Sequence, residues 1–157
     1  MKRPSLITLL ICVYSILCSL DLAETWLSSS SIPAGAAAFA LWLSPVAIFW
    51  FRQTKSHPEV PDRPVLLGFA LLLSFFGGVG SLHVLGHTGL ALAIGSLLPP
   101  SGAHLLWLAS SLAWMPALDW LGGRFFVEYT TIARILTVSL ASLYLARTIQ
   151  HFPRGNS

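Results

Sequence analysis

The sequence predicts an all-α protein, a polytopic transmembrane helical bundle of about six spans, and three observations carry that prediction. From Pro64 to Leu118 the chain runs 55 residues without Asp, Glu, Lys or Arg, and the only ionisable side chains in that stretch are His83, His87 and His104. At roughly 20 apolar residues per membrane-spanning helix, such a run must fold back on itself. Composition agrees: 55% of the 157 residues are hydrophobic, 10% are charged and the mean hydropathy is +0.74, far from the balance of a soluble domain. Finally, Pro, Gly and basic residues cut the apolar sequence at intervals. Six segments result within one domain over 1–157: Ser5 to Leu22, Pro33 to Phe51, Pro64 to Leu82, His83 to Leu98, Ala103 to Leu121 and Glu128 to Thr148.

Each segment has its own justification. Lys2 and Arg3 before Leu6 to Leu20 have the pattern of a signal peptide. The candidate site Asp21-Leu22-Ala23 lacks a small residue three positions before a cut, and Leu17 stands where a lipoprotein cysteine needs one, so an uncleaved signal-anchor is expected. Pro33 and Pro64 open the second and third segments, where a missing N–H costs nothing because it would have no intrahelical partner. Gly77, Gly78 and Gly80 mark the end of the third; a helix running through them would reduce the count to five. Pro99-Pro100 stops the fourth segment and Ser101-Gly102 turns the chain. Pro45 and Pro116 fall inside the second and fifth segments and are expected to kink or loosen them, which a membrane tolerates when neighbours re-satisfy the freed carbonyls.

Charge placement orients the bundle. With both termini inside, the cytoplasmic segments carry Lys2, Arg3, Arg52, Lys55, Arg63, Arg147 and Arg154, seven of the nine basic residues. Only Arg124 falls outside, Arg134 lies within a span, and the first external loop carries Asp21 and Glu24. This is the positive-inside pattern of a multi-pass protein of a bacterial-type cytoplasmic (inner) membrane. The basic residues form no cluster, so the pI of about 9.2 reflects topology and not a nucleic-acid partner. Trp26, Trp50 and Trp120 fall near helix ends, as interfacial aromatic residues do. Trp42, Trp107 and Trp114 lie deeper, and Trp107 and Trp114, seven apart, share a face suited to packing.

Few residues could carry chemistry. His83 and His87 stand four apart at the outer start of the fourth segment, so both imidazoles project from one helix face. Such a pair could ligate a metal ion or form half of a cofactor site, although a metal needs further ligands; interfacial or packing histidines are the simpler reading, and neither a cofactor nor a metal is assigned. His104 is expected near the opposite face of the membrane. Gly86, Gly89, Ala93 and Ser96 form a stripe of small side chains suited to close helix packing, within the chain or against a partner subunit. Arg134 is costly more than a turn inside an apolar segment unless paired or snorkelled, and its candidate ion-pair partners are Asp21, Glu24, Asp119 and Glu128. Arg134 could equally contact an anionic substrate, or lie along the interface on a short amphipathic helix. Cys12 and Cys18, six apart in one apolar segment, read as inert thiols. The chain has no HExxH, GxSxG, P-loop or CxxC pattern.

The order of features resembles the N-terminal half of the exosortase/archaeosortase family of membrane transpeptidases. Gly35 to Arg52 (GAAAFALWLSPVAIFWFR) is similar to that family's early span ending in an aromatic-basic edge, and a short Pro-containing loop and two apolar spans follow. Leu105 to Trp120 (LLWLASSLAWMPALDW) resembles its Pro-ended span before an amphipathic segment. The likeness covers residues 30 to 150. The family's catalytic Cys, Arg and His belong to later spans, whereas Cys12 and Cys18 precede the resembling region, so no catalytic residue carries over. The expectation is therefore a non-catalytic accessory or scaffold subunit of a membrane machine, embedded in the lipid bilayer with a membrane protein partner, in exosortase-like protein sorting. Two alternatives stand beside it: a histidine-ligated subunit of an electron-transfer complex, and a small membrane enzyme or carrier with an anionic substrate at Arg134.

Overall fold

A computed structural model describes residues 5–28, 33–53, 63–116 and 129–150, and every regular element among them is helical. The order is α1 (Leu6–Leu17), α2 (Asp21–Ser28), α3 (Pro33–Gln53), α4 (Pro64–Val79), α5 (His83–Gly95), α6 (Gly102–Ala109), a 3-10 turn (Ser110–Ala113) and α7 (Thr130–Gln150). By length and composition three stretches can cross a membrane: Leu6–Ser28, Ala34–Phe51 and Thr130–Ile149. Pro64–Val79 and Gly102–Ala113 are shorter apolar helices.

Local chemistry explains where the elements begin and end. The Ser5 hydroxyl caps α1 by accepting from the Thr8 amide at 3.2 Å. The helix then tightens at Cys18–Leu20 through i to i+3 bonds, Ser19 N–H to Ile16 C=O at 3.0 Å and Leu22 N–H to Ser19 C=O at 3.1 Å, before continuing as α2. The predicted first span ended at Leu22; helix persists to Ser28 because Leu22 is buried and Trp26 packs on Phe39 and Trp114. Within α3, Pro45 cannot donate to the Leu41 carbonyl one turn back. The Ser44 hydroxyl donates to it instead, at 2.7 Å.

The glycine-rich boundary resolves into a turn. Helix α4 stops at Val79, with Gly80 N–H donating to Phe76 C=O at 2.9 Å and Leu82 N–H to Gly77 C=O at 3.1 Å. Ser81 takes φ 53°, a left-handed conformation that costs a non-glycine residue roughly 1–2 kcal/mol. Helices α4 and α5 are therefore separate, 16 and 13 residues long, and they close into a tight hairpin. A Cβ on Gly77 would overlap the Gly86 backbone, and one on Gly89 would strike Ser74 and the Ala70 carbonyl.

The fifth predicted segment departs most from expectation. It was predicted to run to Leu121, kinked at Pro116. Instead α6 ends at Ala109 and tightens into the 3-10 turn, where the Ser110 hydroxyl donates to Trp107 C=O at 2.7 Å. Serine hydroxyls compete with the backbone in this way, and residues 117–121 lie outside the described residues.

Helix α5 is the centre of the assembly. Gly86, His87, Gly89, Leu90, Ala91, Ala93, Ile94 and Gly95 are all buried, so the helix has no wholly open face. One side joins Ile11, Cys12, Leu67 and Ala70 from α1 and α4. Its other side joins the larger core of Trp42, Trp107, Trp114, Met115, Val138 and Leu145 from α3, α6, the turn beyond it and α7. The outer helices turn apolar stripes outward: Leu6, Leu10, Val13 and Leu17 on α1; Val65, Phe69, Leu72 and Phe76 on α4; Ile132, Leu136, Leu140 and Leu143 on α7. Stripes at helical spacing on the outside of a bundle suit a lipid solvent.

Candidate functional site

The ionisable side chains converge where α2 begins. Gly86 allows this approach: a Cβ there would lie 3.2 Å from the Cys18 carbonyl, so its absence lets the turn between α1 and α2 rest against α5. Asp21, the first residue of α2, then meets the opening turns of α5. One carboxylate oxygen, Asp21 Oδ2, lies 2.8 Å from His83 Nδ1 and 3.0 Å from His87 Nε2. The imidazoles stand one helical turn apart, their ring centroids separated by 6.4 Å.

One hydrogen bond sets a tautomer: an ionised carboxylate only accepts, so His87 donates through Nε2–H, while His83 Nδ1 stands at ion-pair distance from the same oxygen. The two imidazoles differ in surroundings. The His83 side chain is 64% exposed, whereas the His87 side chain is 2% exposed and its Nδ1 is buried without a hydrogen-bond partner. The Ser19 hydroxyl, 3.9 Å from where a Cβ on Gly86 would lie, is likewise buried and unbonded. The carboxylate sits at the N-terminal ends of both α2 and α5, where helix dipoles favour negative charge.

The other sequence-selected residues are placed apart from this cluster. His104 is 3% exposed and its Nε2 lies 2.9 Å from the carbonyl of Gly95, the last residue of α5. It is thus at the opposite end of α5, about 18 Å of helix from His83. Gly86 and Gly89 face α4, Ala93 packs with Ile11, Cys12, Leu67 and Ala70, and the Ser96 hydroxyl donates to Ala93 C=O at 2.6 Å. The stripe is thus filled from within the chain by α4 and α1. The Ser74 hydroxyl, beside Gly89, donates to Ser15 Oγ at 2.8 Å, and Cys12 Sγ reaches Ala93 C=O at 3.5 Å.

Arg134, in the second turn of α7, is 2% exposed and is not without a partner. Of the acidic residues expected to pair with it, Asp21 instead faces the two histidines, and Glu24 is exposed on α2. Asp119 and Glu128 lie outside the described residues. The interfacial alternative is corrected here: Arg134 is buried within the long helix α7, which packs against α3 and α6, and so is not in water.

Sequence reasoning missed two relationships. It placed Asp21 and both histidines at one face of the membrane yet offered the carboxylate only as one of four candidate partners for Arg134, although two imidazoles one turn apart stand nearer. It also missed the pairing of Trp42 with Trp107, for which the repeated LWL at 41–43 and 106–108 is the available signal. Among the described residues no group of three or more His, Cys, Asp or Glu side chains is arranged to hold a metal ion. His83 Nδ1 and His87 Nε2 both lie against Asp21 Oδ2, and the His87 bond would have to break for that nitrogen to ligate one. No family model, curated protein or solved structure matches the chain.

Proposed function

We propose that the protein is an accessory or scaffold subunit of a machine in the cytoplasmic membrane, crossing six times with both termini cytoplasmic. The observation that carries this reading is where the buried polar groups go. Asp21 ties α2 to α5 through His83 and His87, Ser74 ties α4 to α1 through Ser15, His104 ties α6 to α5, and Trp42 ties α3 to α6 through Trp107. Interhelical hydrogen bonds of this kind fix the shape of a membrane bundle. The chain thereby holds its helices in one arrangement and offers long apolar outer faces to lipid and to other membrane helices.

Six crossings follow from the positive-inside distribution of Lys and Arg, with the shorter α4, α5 and α6 spanning together with their flanks. The likeness of Gly35 to Arg52 and Leu105 to Trp120 to exosortases points to protein sorting at the cell surface as the machine served. Deleting the gene and quantifying the membrane proteome tests the proposal. Loss of a scaffold is expected to lower the amount of one or more membrane proteins severalfold, because orphaned subunits are degraded; an unchanged membrane proteome contradicts it.

A further inference from the structure

We propose that Asp21, His83 and His87 form a single-proton site open to the exterior at the start of α2, and that a proton on His83 sets how firmly α2 is held against α5. The asymmetry of the two imidazoles carries the assignment. The His83 side chain is 64% exposed and its Nδ1 lies 2.8 Å from Asp21 Oδ2, so a proton added to it makes an imidazolium–carboxylate ion pair. A proton added to His87 would go to Nδ1, which is buried and has no acceptor. Leaving a charged donor buried and unbonded is far more costly than leaving a neutral lone pair there.

Among the described residues, few ionisable side chains lie on the elements packed around this site. Residues 33–51 of α3 and 64–79 of α4 contain no Asp, Glu, Lys, Arg, His, Cys or Tyr. From α1 and the turn after it come Cys12, Tyr14 and Cys18, from α2 Asp21 and the exposed Glu24, from α5 the two histidines themselves and from α7 the buried, partnered Arg134, while His104 faces the far end of α5. Asp21 is the charged group in contact with His83. Taking up one proton converts a neutral imidazole beside a carboxylate into an imidazolium–carboxylate pair, and the net charge of the triad goes from −1 to 0. Opposite charges at 2.8 Å attract where a neutral ring did not, so the contact tightens when His83 takes up a proton.

The turn geometry suits this role. Ser81, held at φ 53° two residues before His83, fixes the start of α5. On the other side, α2 follows the tightened turn at Cys18–Leu20 and is also held by buried Leu22 and by Trp26 against Phe39 and Trp114, so the contact with His83 adds to an existing anchorage.

Hydrogen–deuterium exchange of the full chain in lipid nanodiscs, corrected for the intrinsic pH dependence of exchange, tests the proposal. Amides of residues 21–28 are expected to become about fivefold more protected between pH 8 and pH 5.5. In His83→Gln, which keeps an amide donor for Asp21 but does not titrate, that pH dependence should vanish while the fold persists. Imidazole nitrogen NMR on the same samples should show His83 becoming doubly protonated with His87 still a neutral Nε2–H tautomer. A flat profile in the wild-type chain overturns the proposal, as does an unchanged profile in His83→Gln or protonation of His87 before His83.

Discussion

The indole N–H of Trp42 donates to the main-chain carbonyl of Trp107 at 2.9 Å, and the indole N–H of Trp107 donates to the carbonyl of Trp42 at the same distance. The two rings lie face to face, with centroids 4.0 Å apart and planes 4° from parallel. Both are fully buried, and Trp114 packs against Trp42 at 5.6 Å. This reciprocal clasp joins α3 to α6 at the heart of the larger core. It also places a donor on α3 within one turn of Pro45, where the helix has lost one of its own.

Replacing either tryptophan by Phe keeps an aromatic ring and deletes one interhelical hydrogen bond. Each single variant is expected to lose about 0.6–1.7 kcal/mol. The double variant should lose measurably less than the sum of the two, because breaking one half of the clasp loosens the other. Equilibrium unfolding in a denaturing detergent series over the four-member cycle measures the coupling.

The α4–α5 hairpin makes a sharper forecast from three glycines. Gly77→Ala and Gly89→Ala drive a methyl group into backbone atoms of the facing helix and are expected to cost about 1–3 kcal/mol each. Gly68→Ala, on the same helix α4 with nothing within 4 Å of the added carbon, should be neutral or stabilising by up to about 1 kcal/mol through helix propensity. Thermal stability of the three purified variants, compared side by side, checks the contrast.

At the start of α2, Asp21→Ala removes the carboxylate that faces two imidazoles and leaves buried His87 with neither nitrogen bonded. The expected loss is about 1–3 kcal/mol. Asp21→Asn retains an acceptor oxygen at the same reach and should recover part of it. Unfolding followed by tryptophan fluorescence distinguishes them, since Trp26 on the same helix packs against Phe39 and Trp114.

Arg134 separates a structural tie from a substrate contact. Buried and partnered as it is, its replacement by Ala should strand the partner and lower stability by about 3 kcal/mol. Membrane abundance is then expected to drop, and any loss of cellular function should follow that drop in proportion. A variant with normal abundance and abolished function would instead mark the guanidinium as a substrate contact.

Much of the helical layout was legible in the sequence because its punctuation is physical. Pro33 and Pro64 open α3 and α4, the glycines at 77, 78 and 80 bracket the turn before α5, and Ser101 caps α6 by accepting from the His104 amide at 3.1 Å. Other features depend on packing between distant segments. Helix beyond Leu22 depends on what Trp26 meets across the bundle, and the early end of α6 depends on a hydroxyl that turns back onto Trp107. At the site, His83 and His87 were readable as a pair from their spacing, whereas Asp21 was readable only as a charge near the same end. Joining them needs the missing Cβ at Gly86, which a single sequence shows as one more small residue in a stripe.

Native mass spectrometry of the protein extracted from its own membrane in lipid nanodiscs bears most directly on the scaffold reading. The expected result is an assembly in which this chain and an identified membrane protein occur in fixed stoichiometry, with the same partner recovering this chain in the reciprocal purification. A strictly monomeric chain, or a monomer carrying the added mass of a metal or cofactor that disappears in His83→Ala and His87→Ala, would contradict it.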